Sequence, residues 1–350
     1  MPHQNADFHG VAELVAVDGL PGLRLQRVPE SVRVAMYEKG ARRMLGPDGA
    51  EIRFVADGPR VSVTLSAPQA DCEIIPFWGG FQHIRRLVFG KEPTTFELEY
   101  PERLRDLQPG RLLASPRPGW CDDHPFQPNV WRLCLRGLDK HGIIHFHDLQ
   151  AHGLRTPHPE EVPAQTLLAY GTSITDGFGA TAMHLSFLAQ AARRLGMDYV
   201  NLGCAGSAYC EPELAEWIGK RDDWDIATLC ISINMIGAGF SVDAYRERAT
   251  YMVKQIAASG RPVVCINAPP YFADVCENLK GPHQPETAAA YRATLRDIVA
   301  TCGLRNVSLI DGHDLMTSID GFTIDLAHPS DFGHIQMGEN LAAKLHGLTT

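Results

Sequence analysis

From Gln165 onward the chain alternates short apolar runs with amphipathic segments, and this alternation constrains the fold more than any other feature. The strand-like runs are Thr166–Tyr170, Tyr199–Leu202, Ile226–Ile233, Pro262–Asn267 and Val307–Ile310. Helical patterns lie between them around His184–Leu195, Pro212–Ile218, Val242–Ser259 and Pro285–Cys302, with a last one over about 330–345. In the first of these, Leu185, Leu188, Ala192 and Leu195 recur at a spacing of three or four, one buried stripe. Strand–helix alternation predicts an α/β domain, a parallel sheet covered by helices on both faces.

The preceding region has a different texture. Ile52–Ala56 leads through Asp57-Gly58-Pro59 into Val61–Ser66, where Val61, Val63 and Leu65 alternate with Ser62, Thr64 and Ser66. That is a half-buried strand pattern, and the Asp-Gly-Pro break suits a hairpin. Further strands are expected at Cys72–Phe77, Thr94–Tyr100, Val130–Arg136 and Ile143–Asp148. Many short strands with Gly/Pro turns predict an all-β sandwich or jelly roll, to which the first thirty residues can add a strand. Pro157, Pro159 and Pro163 mark a stiff linker. The expected domains are therefore 1–160 and 161–350.

Composition limits the functions open to such a chain. Of 350 residues, 45% are hydrophobic and 21% charged, enough to bury a core and to exclude disorder as the main state. Of the net charge of −9, residues 1–160 carry −1 and the remainder −8. An acidic excess argues against a nucleic-acid groove or an anionic membrane surface as partner, and disfavours polyanionic substrates near the second domain. The start, MPHQNADFHG, does not read as a secretory signal. The longest mostly apolar run, Ile226–Phe240, is too short to span a bilayer and contains Ser232 and Asn234. Nine cysteines without a CxxC pair predict reduced thiols in a cytoplasmic protein rather than a disulfide framework or zinc knuckle.

In open α/β sheets functional groups collect at the carboxyl ends of strands. Those ends read Tyr170-Gly171-Thr172-Ser173-Ile174-Thr175-Asp176-Gly177, Asn201-Leu202-Gly203-Cys204-Ala205-Gly206-Ser207 and Ser232-Ile233-Asn234-Met235; near the C-terminus comes Asp325-Leu326-Ala327-His328-Pro329. A hydroxyl, two glycine-rich turns, an amide and an Asp/His pair are the parts of serine-ester chemistry. In these blocks, taken in order, the sequence resembles the SGNH/GDSL hydrolase family over about residues 165–345. Gly171-Thr172-Ser173 stands for the family's Gly-Asp-Ser, Ser232-Ile233-Asn234-Met235 for its Gly-x-Asn-Asp, and Asp325-Leu326-Ala327-His328-Pro329 for its Asp-x-x-His-Pro. The β-rich first region is similar to that of a branch with a sandwich in front, including esterases and acyltransferases.

The resemblance implies a flavodoxin-like sheet, Ser173 as nucleophile, His328 as its base and Asp325 as the group that orients His328. It implies an oxyanion hole made of the N–H groups of Ser173 and Gly206 and the amide of Asn234. Asp325 reaches the far nitrogen of His328 if the segment turns. The expected function is an esterase or deacylase acting on a small polar ester, acylated sugars included, with no metal or organic cofactor. Alternatives are an acyltransferase with the same triad and a non-catalytic carbohydrate-binding protein. The sequence leaves the oligomeric state open.

Blander readings stand beside these. Alone, Ser173 is a turn or cap residue and Gly203 and Gly206 are turn glycines. Asp331 and His334 repeat the Asp/His spacing, but Ser330 or Asp331 is placed to cap the last helix. His145 and His147 point to one face of a strand without a third metal ligand, and Cys121–His124 reads as an exposed loop. Tyr271 and Phe272 are the better candidates for a substrate-pocket wall. Trp120, with His124 and Phe126, is a second set.

Overall fold

Along Arg60–Ser66 the side chains of Val61, Val63 and Leu65 are buried while Ser62 and Thr64 stay partly open, the period of two that the sequence carries. The computed structural model describes residues 1–107, 126–139 and 141–348. Trp120 and Cys121–His124 lie outside the described residues.

Arg60–Ser66 pairs antiparallel with Thr94–Glu99 and with His145–Ala151; Leu20–Gln26 and Glu13–Val17 complete this five-stranded sheet. A seven-stranded antiparallel sheet runs Pro2–His3, Ala6–His9, Glu51–Phe54, Trp131–Gly137, Cys72–Trp78 and Phe81–Gln82, with Leu87–Phe89 also paired to Cys72–Trp78. Val63, Leu65 and Leu149 of the first sheet share one buried cluster with Ile52, Phe54 and Leu133 of the second, so the two form a sandwich. The first thirty residues supply four of its strands.

Asp57-Gly58-Pro59 does not close a hairpin. The strand before it lies in the seven-stranded sheet and the strand after it in the five-stranded one. The reason is burial: Glu51–Phe54 is buried at every position, whereas Arg60–Ser66 has one open face. The break therefore carries the chain across the sandwich, with Asp57 N–H donating to His152 O at 2.9 Å and Pro59 O accepting from Tyr100 N–H at 2.7 Å.

The third sheet is parallel, in the order Asp198–Gly203, Thr166–Gly171, Ile226–Cys230, Val263–Ile266, Val307–Ile310. This is the flavodoxin-like order, with the second strand outside the first. Leu168 and Tyr170 face one cluster, with Ile218, Val253 and Leu295 of the helices Pro212–Lys220, Val242–Ala257 and Pro285–Thr301. Leu167 and Ala169 face the other, with Leu188, Ala192 and Leu341 of Phe187–Leu195 and Asp331–Leu345. Strands buried on both faces explain the near-continuous apolar runs.

The predicted stripe from Leu185 to Leu195 is divided. Ser186 caps the helix Phe187–Leu195, accepting from Ala189 N–H, so Leu185 precedes it in a short 3-10 turn and packs against Ile75 and Phe77 of the sandwich. The described cysteines form no disulfide, and no described helix is long and apolar enough to cross a membrane.

Candidate active site

The strand Thr166–Gly171 runs into a one-turn helix, Ser173–Asp176, whose N-cap is Thr172. The Thr172 hydroxyl accepts from Ile174 N–H at 3.4 Å, so the residue in place of an aspartate fills the cap role that a short polar side chain fills. The turn rests on the end of the neighbouring strand at Gly203. A Cβ there would stand 2.2 Å from the Asp176 backbone nitrogen, so only glycine permits this approach.

Ser173 is thereby held partly open, with its Oγ 2.8 Å from His328 Nε2. On the other side of the ring, His328 Nδ1 lies 2.6 Å from Asp325 Oδ2. A carboxylate only accepts, so Nδ1 carries the proton and Nε2 is left to accept from the serine hydroxyl. The turn that brings Asp325 back onto His328 depends on Leu326, whose φ of 53° is left-handed, and on Thr323 N–H donating to His328 O at 2.8 Å. Asp325 also accepts from the Thr323 hydroxyl, Ala327 N–H and His328 N–H at 2.8, 2.8 and 3.0 Å. Burial pushes its carboxyl up, but these bonds and that from His328 prevail and hold it well below the usual carboxylate range. The Phe178 ring lies 4.5 Å from the imidazole of His328.

Three N–H donors stand at adjacent strand ends. Ser173 N–H is in the first helical position, ahead of the intrahelical ladder. Gly206, at φ 70°, turns the next loop, and among the described residues its N–H has no acceptor. Asn234 lies in the short helix Ile233–Gly237; its Oδ1 accepts from Ala208 N–H at 3.1 Å, which turns its NH2 the other way.

The second Asp/His pair is built into the scaffold. Ser330 caps Asp331–Leu345 through Gly333 N–H, and Asp331 binds the backbone N–H and hydroxyl of Thr181 at 2.6 and 2.7 Å. His334 is fully buried: Nδ1 accepts from Phe187 N–H at 3.2 Å and Nε2 donates to Phe178 O at 3.1 Å. With both nitrogens so engaged, burial holds this imidazole down at about 4. An unfolded chain takes up the proton near pH 6.5, so the stability it contributes is complete above that pH and is lost as pH falls toward 4. His334→Gln should therefore flatten part of the acid loss of stability, by roughly 2–3 kcal/mol between pH 7.5 and 4.5, as read from urea unfolding at the two pH values. An equal fall in both proteins would contradict this.

The proposed wall residues separate. Tyr271 is fully buried, packed against Phe272 and His283, so it is a core group and not a pocket surface. Phe272 is half-buried and meets His283, whose Nε2 lies against Gly237 in the Asn234 helix. Phe126 is buried with its ring 3.7 Å from the Arg132 guanidinium. His145 Nδ1 donates to Pro21 O and His147 Nε2 bonds the Ser66 hydroxyl. No group of three His, Cys, Asp or Glu among the described residues could hold a metal.

One contributor is absent from the sequence reading. Arg27, buried at the end of the strand Leu20–Gln26, donates to Asp176 Oδ1 at 3.1 Å, Asn201 O at 3.3 Å and Arg43 O at 2.9 Å. It ties the sandwich to the serine turn from 149 residues away, and no local pattern marks it.

Residues 169–335 match the GDSL-like lipase/acylhydrolase family. No curated protein matches the chain. Among solved structures, the chain is similar to the salicylyl-acyltransferase SsfX3 from a tetracycline biosynthetic pathway, with a TM-score of 0.74 and 17% identity over 99% of this chain and 96% of that one. It is also similar to a protein of Bacteroides ovatus described as a GDSL-like lipase, at TM-score 0.67 and 17% identity, covering 99% and 96%. A family two carbohydrate esterase from Cellvibrio japonicus gives TM-score 0.63 and 14% identity over 99% and 96%. At these identities the solved structures show the fold: a parallel sheet with a β-rich region in front. The match over 169–335, just under half of the chain, aligns this region with the GDSL-like lipase/acylhydrolase family, hydrolases that act on esters.

Proposed function

We propose that the protein is a serine esterase that cleaves a small polar ester through an acyl-Ser173 intermediate. The observation that carries this reading is the continuous chain of contacts from Ser173 Oγ to His328 to Asp325, at 2.8 and 2.6 Å. Ser173 Oγ attacks the ester carbonyl while His328 Nε2 takes its proton. Asp325 holds the ring by Nδ1 and stabilises the imidazolium that forms. The carbonyl oxygen becomes an oxyanion, which the N–H groups of Ser173 and Gly206 and the amide of Asn234 receive. Collapse breaks the bond to the alcohol oxygen, and His328 returns its proton to that leaving alkoxide. Water then attacks the acyl-serine with His328 again as base, releasing the acid and restoring Ser173. Similarity to a family two carbohydrate esterase makes acylated sugars the first natural esters to try.

Similarity to an acyltransferase over the whole chain favours a second reading, in which an alcohol replaces water in the last step. Both readings share Asn234, and Asn234→Ala should lower kcat on p-nitrophenyl acetate by about 10²–10³ with little change in KM. Unchanged turnover would remove the amide from the oxyanion hole.

A further inference from the structure

The charge at the site differs from what the sequence balance leads one to expect. The sandwich sends the helix Glu38–Arg43 out to the loop that contains Gly206. Lys39 Nζ lies 2.8 Å from where a Cβ on Gly206 would stand, and Arg43 Nε donates to Ala205 O at 3.0 Å. On the flank of this helix a cleft of about 310 Å³ is lined by Glu38, Lys39, Arg42, Arg43 and His141. Arg42 Nη2 contacts His141 Nδ1 at 3.3 Å. Among the described residues, neither Lys39 nor Arg42 is paired with a carboxylate. Lys39 and Arg42 thus share the cleft with one carboxylate, that of Glu38, beside a catalytic half whose sequence carries −8.

An ammonium without a carboxylate partner attracts an anion entering the cleft, and a concave wall with an excess of positive charge concentrates that field. Its position against Gly206 sets this attraction next to the point where, on the esterase reading above, the substrate carbonyl binds. We propose that Lys39, with Arg42, forms a specificity subsite for a carboxylate carried by the ester substrate. The inference rests on the esterase reading and names the substrate class more narrowly: a monoester bearing an acid group on its acyl or its alcohol part. The carboxylate would take the place of a counterion that the described residues do not supply.

The test uses two matched pairs of esters and the full-length protein, with spontaneous hydrolysis subtracted. For the alcohol side, 4-acetoxybenzoate is compared with 4-acetoxybenzamide. For the acyl side, the 4-nitrophenyl monoester of glutaric acid is compared with that of its half-amide. The expected result is a kcat/KM at least tenfold higher for the acid member of one pair, falling as salt is raised. Lys39→Met should cut that ratio about fivefold, and Lys39→Arg should keep most of it. Equal turnover of acid and amide in both pairs would overturn the subsite while leaving the esterase intact. An equal loss on acid and amide in Lys39→Met would also overturn it, assigning Lys39 to the oxyanion. If none of the four esters is turned over in a Ser173-dependent way, the esterase reading fails, and this inference with it.

Discussion

Ser173→Ala should lower turnover of p-nitrophenyl acetate by about 10⁴–10⁶-fold while leaving the fold intact. The substitution removes one oxygen from a partly exposed position at the start of a four-residue helix. Its hydroxyl contacts His328, and the cap of that helix is a different residue, Thr172. The loss therefore creates no buried unpaired group, and the change in unfolding free energy should stay within about 0.5 kcal/mol. The residual rate is what an oxyanion hole supplies without a nucleophile. Parallel assays of turnover and urea unfolding separate the two quantities. A folded Ser173→Ala protein with full activity would overturn the assignment of the nucleophile.

The second large effect is on stability. Arg53, in the strand Glu51–Phe54, is 2% exposed and lies between two carboxylates. It binds both oxygens of Asp198, with Nη2 at 2.8 Å from Oδ1, and its Nε donates to Glu51 at 2.7 Å. Arg132 then binds both oxygens of Glu51 at 2.6 and 2.8 Å. Two buried carboxylates, the buried Arg53 and the partly exposed Arg132 thus meet where the seven-stranded sheet meets the first edge strand of the parallel sheet. Burial pushes both carboxyls up, yet Arg132 and Arg53 bring Glu51 down to about 2, and Arg53 and His9 hold Asp198 well below its usual range. Arg53→Met leaves Asp198 in the interior without its bidentate partner, and should cost about 3–5 kcal/mol. Denaturant midpoints check this. A double cycle with Asp198→Asn should recover part of the loss, because the two removals share one interaction. A cost below about 1 kcal/mol would show that the pair contributes little beyond its own desolvation.

How far the sequence revealed these features follows from the range over which each is encoded. The parallel sheet was legible because its strands are buried on both faces, so Thr166–Tyr170 and Ile226–Ile233 read as unbroken apolar runs. The Ser173, Asn234 and Asp325/His328 blocks were legible because each lies at a strand end or in one tight turn. The left-handed Leu326 in the last turn had no such signal, since leucine does not mark a positive φ. Asp57-Gly58-Pro59 suggests a hairpin because a turn signal specifies a reversal and not a partner. Which sheet each strand joins was decided by the second buried face of Glu51–Phe54, where Arg53 and Glu51 meet their ion pairs. The burial of Tyr271 is hidden for a related reason: an aromatic after a strand end has the same local sequence whether it faces a pocket or the core. The cations around the site were out of reach altogether. Arg27 and Lys39 meet Asp176 and Gly206 across about half the chain length, and the charge sum of the C-terminal half contains neither of them.

The most direct measurement is the intact mass, and then the peptide map, of the protein treated with an excess of a fluorophosphonate. Such a reagent phosphonylates a serine whose hydroxyl is activated by a neighbouring base and displaces fluoride. One adduct per chain is expected, on the peptide that contains Ser173, absent from Ser173→Ala and strongly slowed in His328→Gln but not in His334→Gln. An adduct on another residue, or no adduct on a folded protein that turns over p-nitrophenyl acetate, would contradict it.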